Sequence, residues 1–361
     1  MCNAIKNGNP LMRSSRNIAV DIFKLVAAFG VIIIHMQPST NAAAALSNLF
    51  SLFAVPFFLL ISLYYFIKKV NSTPSLSAAD LHLDRILVPY LIWTLIYTLM
   101  RMLKYRSLHQ PLSIDLIGII IFGGGAVQLY FIPLLLLFQA VALSLILSCR
   151  VSRQRIIGIC TMVGVFAFSE IGSARGHFGF GQSFQNGVVY VLLAFLMVYA
   201  QGSQIGRRIN GIVGVLVTVL IFTTAFFGYP LNYLGTLQGG ISGYGVSALA
   251  LNLPLYTEMI ALRTMLTCSY GIYLAHVGFV EAIEFLSSRF GYALAPYTLL
   301  AKTTLGSLIF FLCLLLIWLV RYNSLSAYLF LGESDKYSML DRIRQIDTTR
   351  SPTSHRHTDN H

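Results

Sequence analysis

Long apolar runs separated by short polar stretches dominate this chain, and most approach the roughly 20 residues that cross a bilayer as an α-helix. Ten runs are legible, at 18–37, 48–67, 86–103, 127–148, 155–171, 186–202, 211–228, 236–254, 264–285 and 298–320. The pattern predicts an all-α polytopic membrane protein of about ten transmembrane helices around a polar cavity. The apolar stretch 112–122 is too short to cross and is followed by Gly123-Gly124-Gly125, so a re-entrant or interfacial segment is expected there. Residues 1–15 and 333–361 are polar and are expected to be flexible tails, leaving 16–332 as the membrane domain.

Composition sharpens the class. Of 361 residues, 56% are hydrophobic and 11% charged, with mean hydropathy +0.73; soluble proteins carry about 25% charged residues. The formal charge of +12 invites a nucleic-acid reading, but no basic stretch is dense or interleaved with aromatics. Loop charge accounts for it better. With an even span count and both termini cytoplasmic, eighteen Lys and Arg fall inside and six outside, Lys302 among the six, with Lys24 inside a span. That asymmetry follows the positive-inside rule, and the opposite orientation would invert it. The first run is longer than a signal core and carries Asp21, Lys24 and His35, so it is expected to be retained as a span. The five cysteines form no CxxC and no disulfide framework and read as small apolar residues.

Candidate chemistry begins in that first run. Lys24 and His35 are eleven residues apart, three helical turns plus roughly 20°, so both lie on one stripe about 16 Å apart along the axis. Charged groups inside a span are expensive, and several on one face should look into a cavity. Asp21 lies one turn below Lys24 and is placed to partner it. Entering the third run, Arg85 can bind phosphate through its planar fork or serve only as an inner anchor. Tyr130, at the start of the fourth run, reads most simply as an aromatic-belt residue. In the ninth, Ser269 and His276 lie nearly on one face, and Tyr273 and His276 are neighbours at i, i+3. There is no GxSxG elbow, Walker loop, HExxH or haem spacing. The glycines between Gly176 and Gly181 follow no strand and read as an external loop, and His355, His357 and His361 as part of the tail rather than a metal site.

Four segments together resemble the integral-membrane acyltransferase type 3 family, which includes bacterial surface-polysaccharide O-acetyltransferases: DIFKLVAAFGVIIIH at 21–35, DRILVPYLIW at 84–93, QLYFIPLLLL at 128–137 and SYGIYLAH at 269–276. In the first, the family has Arg or Lys, ten residues, then His. The family often has Arg-x-x-Arg entering the third span; His82 stands at the first of these places and Arg85 at the second. Relatives commonly have tryptophan near Tyr130. The resemblance implies transfer of an acyl group, most often acetyl, from cytoplasmic acetyl-CoA to a sugar hydroxyl, in a bacterial inner membrane. On that reading Lys24, Arg85 and His82 hold the donor, and His35 acts as general base or as a histidine-bound acyl carrier. Asp21, Tyr130, Ser269, Tyr273 and His276 line the cavity, with Tyr273 or Ser269 donating to the oxyanion. No cofactor is expected beyond acyl-CoA as co-substrate, and the partners are the glycan or lipid-linked acceptor and the bilayer. A transporter or flippase for a lipid-linked sugar, using Lys24, His35 and His276, is the competing reading, and a structural membrane subunit a third.

Overall fold

The computed structural model describes residues 17–73, 81–109, 115–149, 155–165, 180–227, 236–255, 264–292 and 294–333. The tail at 1–15, the tail at 333–361 apart from its first residue Glu333, and residues 176–179 lie outside them, whereas Phe180 and Gly181, expected in an external loop, open the seventh helix. In chain order the helices are α1 (Ile18–His35), α2 (Asn41–Ser72), α3 (Asp84–Ser107), α4 (Leu116–Ile121), α5 (Phe131–Ser148), α6 (Arg155–Val165), α7 (Phe180–Gln201), α8 (Gln204–Phe227), α9 (Thr236–Asn252), α10 (Ser269–Arg289), α11 (Leu299–Val320) and α12 (Ser324–Leu331). Among the described residues no strand forms beyond one isolated bridge between Pro38 and Tyr297.

Among the described residues, six of the ten predicted spans, on α1, α2, α3, α5, α8 and α11, are helices long and apolar enough to cross a membrane. The other four fall on α6, α7, α9 and α10: the described side chains of α6 and α7 cover only 155–165 and 187–201, α9 has 17 residues, and α10 is more polar. Many apolar side chains face outward: Leu91, Leu95, Leu99 and Leu103 form an exposed stripe along α3 at i, i+4 steps. A continuous apolar face of this kind needs lipid against it.

Side-chain caps set several helix starts. Asn17 Oδ1 accepts from Val20 N at 3.2 Å, Thr40 Oγ1 from Ala43 N at 3.3 Å, and Thr298 Oγ1 from Ala301 N at 3.3 Å. The predicted second span, 48–67, is a much longer helix, 32 residues or about 48 Å, so it overreaches a hydrocarbon core of about 30 Å. The helix α1 lies at the centre, packed against α2, α9, α10 and α11.

The short stretch before the fourth span forms a six-residue helix followed by a turn. Asp115 caps the six-residue α4, and the chain turns through Gly123 at φ +73°. Tyr90 Oη donates to Ile120 O at 2.7 Å, and Arg101 donates to Gly124 O at 3.4 Å. Gly124 N donates back to Gly118 O at 2.9 Å and Gly125 packs on Thr94, so the two α3 side chains converge on one compact turn beside the middle of α3. Leu129 and Gln128 are buried there, and α5 starts inside the protein.

Candidate active site

The position of His35 is fixed by its flanks. As the last residue of α1 it precedes a link whose Gln37 O accepts from Tyr297 N and whose Ser39 N donates to Tyr297 O, both at 2.8 Å. Tyr297 Oη in turn donates to Glu284 at 2.8 Å; burial, then that carboxylate, pushes the phenol well above its ordinary range, so it remains the donor. Lys302, buried completely at the start of α11, donates to Met36 O at 2.5 Å and to Ser47 Oγ. It was expected as an outer-loop charge; the structure makes it the cap of the last turn of α1, where main-chain carbonyls lack intrahelical donors.

At the other end of α1 a cavity of about 300 Å³ opens between α1, α2, α3, α5, α10 and α12. Lys24 and Arg85 both line it, as do Ser269, Tyr270, Tyr273 and Gln139. Lys24 Nζ is 3.7 Å from Asp21 and 5.5 Å from the centroid of the Tyr65 ring, so the carboxylate and ring steady a cation that still faces the cavity. Arg85, in the first turn of α3, is exposed on its other side.

The wall of the cavity beneath Arg85 comes from a helix with no predicted role. Leu331 and Gly332, the end of α12, line it. Gly332 sits at φ +68°, and a Cβ there would stand 1.9 Å from Arg85 O, so only glycine closes this corner. Trp93 Nε1 donates to Phe330 O at 3.0 Å, and Tyr328 Oη to Asp84 at 3.3 Å. Beyond the turn, Glu333 takes the Arg321 guanidinium at 2.5 Å, and the same guanidinium donates to Cys268 Sγ at 3.1 Å. The hydrogen bonds tie α12 to the starts of α3 and α10 and the end of α11.

Away from Lys24 the cavity ends on aromatic rings. Tyr273 stands 5.4 Å from Phe131 and 6.4 Å from Phe58, centroid to centroid, and its hydroxyl donates to Gln128 O. One turn further along α10 lies His276, whose ring centroid is 5.1 Å from that of His35. The single cavity expected along the Lys24–His35 stripe is therefore two stations, a cationic cavity and a histidine pair, with an aromatic layer between them.

Of the residues predicted for a site, Lys24, Arg85, Ser269 and Tyr273 share the cavity, and His35 and His276 pair beyond it. Asp21 is buried against Lys24. His82 is exposed in the turn before α3, at φ +48°, and lies outside the cavity lining. Tyr130 is half-buried, packed on the core just ahead of α5 rather than in the cavity. Sequence reasoning missed Gln139, Phe58, Ser62 and the α12 corner. A glutamine inside the apolar fourth span was a legible signal; Leu331 and Gly332 carry none.

A family model described as an acyltransferase domain matches residues 17–322, more than four-fifths of the chain. No curated protein and no solved structure matches it. Because the match begins at the cap of α1 and runs to the end of α11, through both histidines and both cavity cations, the chain belongs to the acyltransferase type 3 family and is a membrane acyltransferase.

Proposed function

We propose that the protein moves an acyl group, acetyl foremost, from cytoplasmic acyl-CoA to a hydroxyl of a surface polysaccharide or its lipid-linked precursor. It would do so as a multi-pass protein of a bacterial inner membrane with both termini cytoplasmic. The observation that carries this reading is the convergence of Lys24 and Arg85, from two helices, on one cavity whose aromatic end wall of Tyr273, Phe131 and Phe58 stands between it and the His35–His276 pair.

A point charge and a planar fork suit the phosphates of a coenzyme. The cavity, about 300 Å³, is at the small end of ligand sites, a size for the slender thioester arm with the nucleotide left outside. Once the arm has threaded past the rings of Tyr273, Phe131 and Phe58, His35 takes the proton of the acceptor hydroxyl as its oxygen attacks the thioester carbonyl. The C–O bond forms, the C–S bond breaks, and the sulfur leaves as a thiol with the proton returned from His35. Base catalysis contributes about 10²–10⁴-fold, so holding both substrates in line must supply much of the remainder. The transporter reading draws no support from the family match.

The test is incubation of purified protein, wild type and His35→Ala, with radiolabelled acetyl-CoA and membranes bearing the glycan acceptor. Label should enter a base-labile ester with wild type and fall at least about 100-fold in the variant. Equal label in both discards His35 as the base, and label in neither moves weight to another donor or to transport.

A further inference from the structure

His276 is fully buried, and its surroundings determine which of its nitrogens carries the proton. Its Nδ1 lies 2.7 Å from Tyr273 O and 3.1 Å from Ile272 O. Main-chain carbonyls only accept, so Nδ1 is the N–H of the neutral ring and Nε2 is left as a bare lone pair. Nε2 has no partner among the described residues. Nearby groups are already engaged: Tyr97 Oη donates to Leu274 O at 2.7 Å, Gln128 Nε2 to the same oxygen at 3.4 Å, and Tyr273 Oη to Gln128 O. The ring that packs on His276 is His35, half-buried, 5.1 Å away centroid to centroid and tilted by 41°.

We infer that His276 is the positioning residue of His35, its Nε2 accepting the one N–H of the His35 ring. This rests on the proposal that His35 is the base. A separation of 5.1 Å between the two centroids leaves room for a His35 ring nitrogen to reach that lone pair after a turn about χ2, and such contacts commonly tighten only once substrate is bound. With one nitrogen committed as donor to His276, the other must present its lone pair, and it faces the acceptor hydroxyl. When that nitrogen takes the hydroxyl proton, the N–H toward His276 strengthens and steadies the imidazolium. The proton then leaves with the sulfur, and His276 exchanges none. The carbonyls of Ile272 and Tyr273 thus reach the reacting atoms through two rings, the arrangement by which an orienting group fixes a histidine tautomer.

Two replacements of His276 separate this role from packing. A glutamine amide oxygen reaches the place of Nε2, whereas asparagine reaches only that of Nδ1. In the purified protein with labelled acetyl-CoA, His276→Gln should keep kcat within about tenfold of wild type. His276→Asn should lower kcat by about 100-fold with the donor KM within about threefold. His276→Met, similar in bulk and without the acceptor, should match Asn and stands in if Asn fails to fold. Wild-type rates in Asn and Met, or equal losses in Gln, Asn and Met, overturn the inference. His35→Ala runs alongside: activity in that variant overturns the parent reading, whereas an inactive His35→Ala beside a fully active His276→Asn overturns this one alone.

Discussion

Lys24 and Lys302 are the same residue type inside two apolar helices, and the fold puts them to opposite uses. Lys24 keeps about a quarter of its side chain exposed and faces the cavity. Lys302 has no exposure and spends its ammonium protons on Met36 O and Ser47 Oγ. The two should separate experimentally. Lys24→Met is expected to raise the donor KM by about tenfold, one lost charge-assisted contact, with little change in thermal unfolding. Lys302→Met strands a buried carbonyl at the end of α1, at about 1–3 kcal/mol, and should lower the unfolding midpoint in detergent. A Lys302→Met protein as stable as wild type would refute the capping role. Sequence could mark Lys24 because His35, on the same helix, shares its stripe. The partners of Lys302 are more than 250 positions away in the chain, and no periodicity points to them.

At the level of helices, hydropathy located the bundle because each apolar run is its own signal. It did not give the length of α2 or foresee α12, whose eight residues are held by contacts to α3 and to Arg321 rather than by propensity. Glycines were the least readable, since the same residue serves as breaker and as contact surface. In α9 they are contacts. Added Cβ atoms would stand 2.7 Å from Pro56 at Gly243 and 2.3 Å from Val217 at Gly245, so the backbone of α9 lies close against α2 and α8 in the manner of small-residue packing between membrane helices. Gly243→Leu should therefore force α9 off α2, costing at least the 1–3 kcal/mol typical of overpacking, roughly. The measurement is the monodisperse fraction in detergent; full recovery of folded protein would show that α9 is free to shift.

Over the molecule as a whole, the family match and the cavity do not end together. The match stops at residue 322, whereas the cavity is completed by Leu331 and Gly332 and locked by Glu333 on Arg321. A chain ending at residue 322 is expected to lose donor binding and to be destabilised by about 3–5 kcal/mol, the usual cost of leaving a buried cation without its carboxylate. Glu333→Gln should reproduce part of the stability loss while leaving the cavity corner in place. Donor affinity and unfolding, measured on both, check this; a 1–322 protein with intact donor affinity would show that α12 is dispensable.

The aromatic layer of Tyr273, Phe131 and Phe58 has an electrical meaning. Water-filled space conducts and carries little of the membrane potential, so the drop concentrates where packed rings replace water. On the acyl-transfer reading, the cavity with Lys24 lies on one side of that insulator and the His35–His276 pair on the other. The uncharged thioester arm crosses it without electrical work, whereas an ion would meet about 2.3 kcal/mol per charge for each 100 mV. Three side chains would thus let the thioester arm through while the membrane around it stays charged.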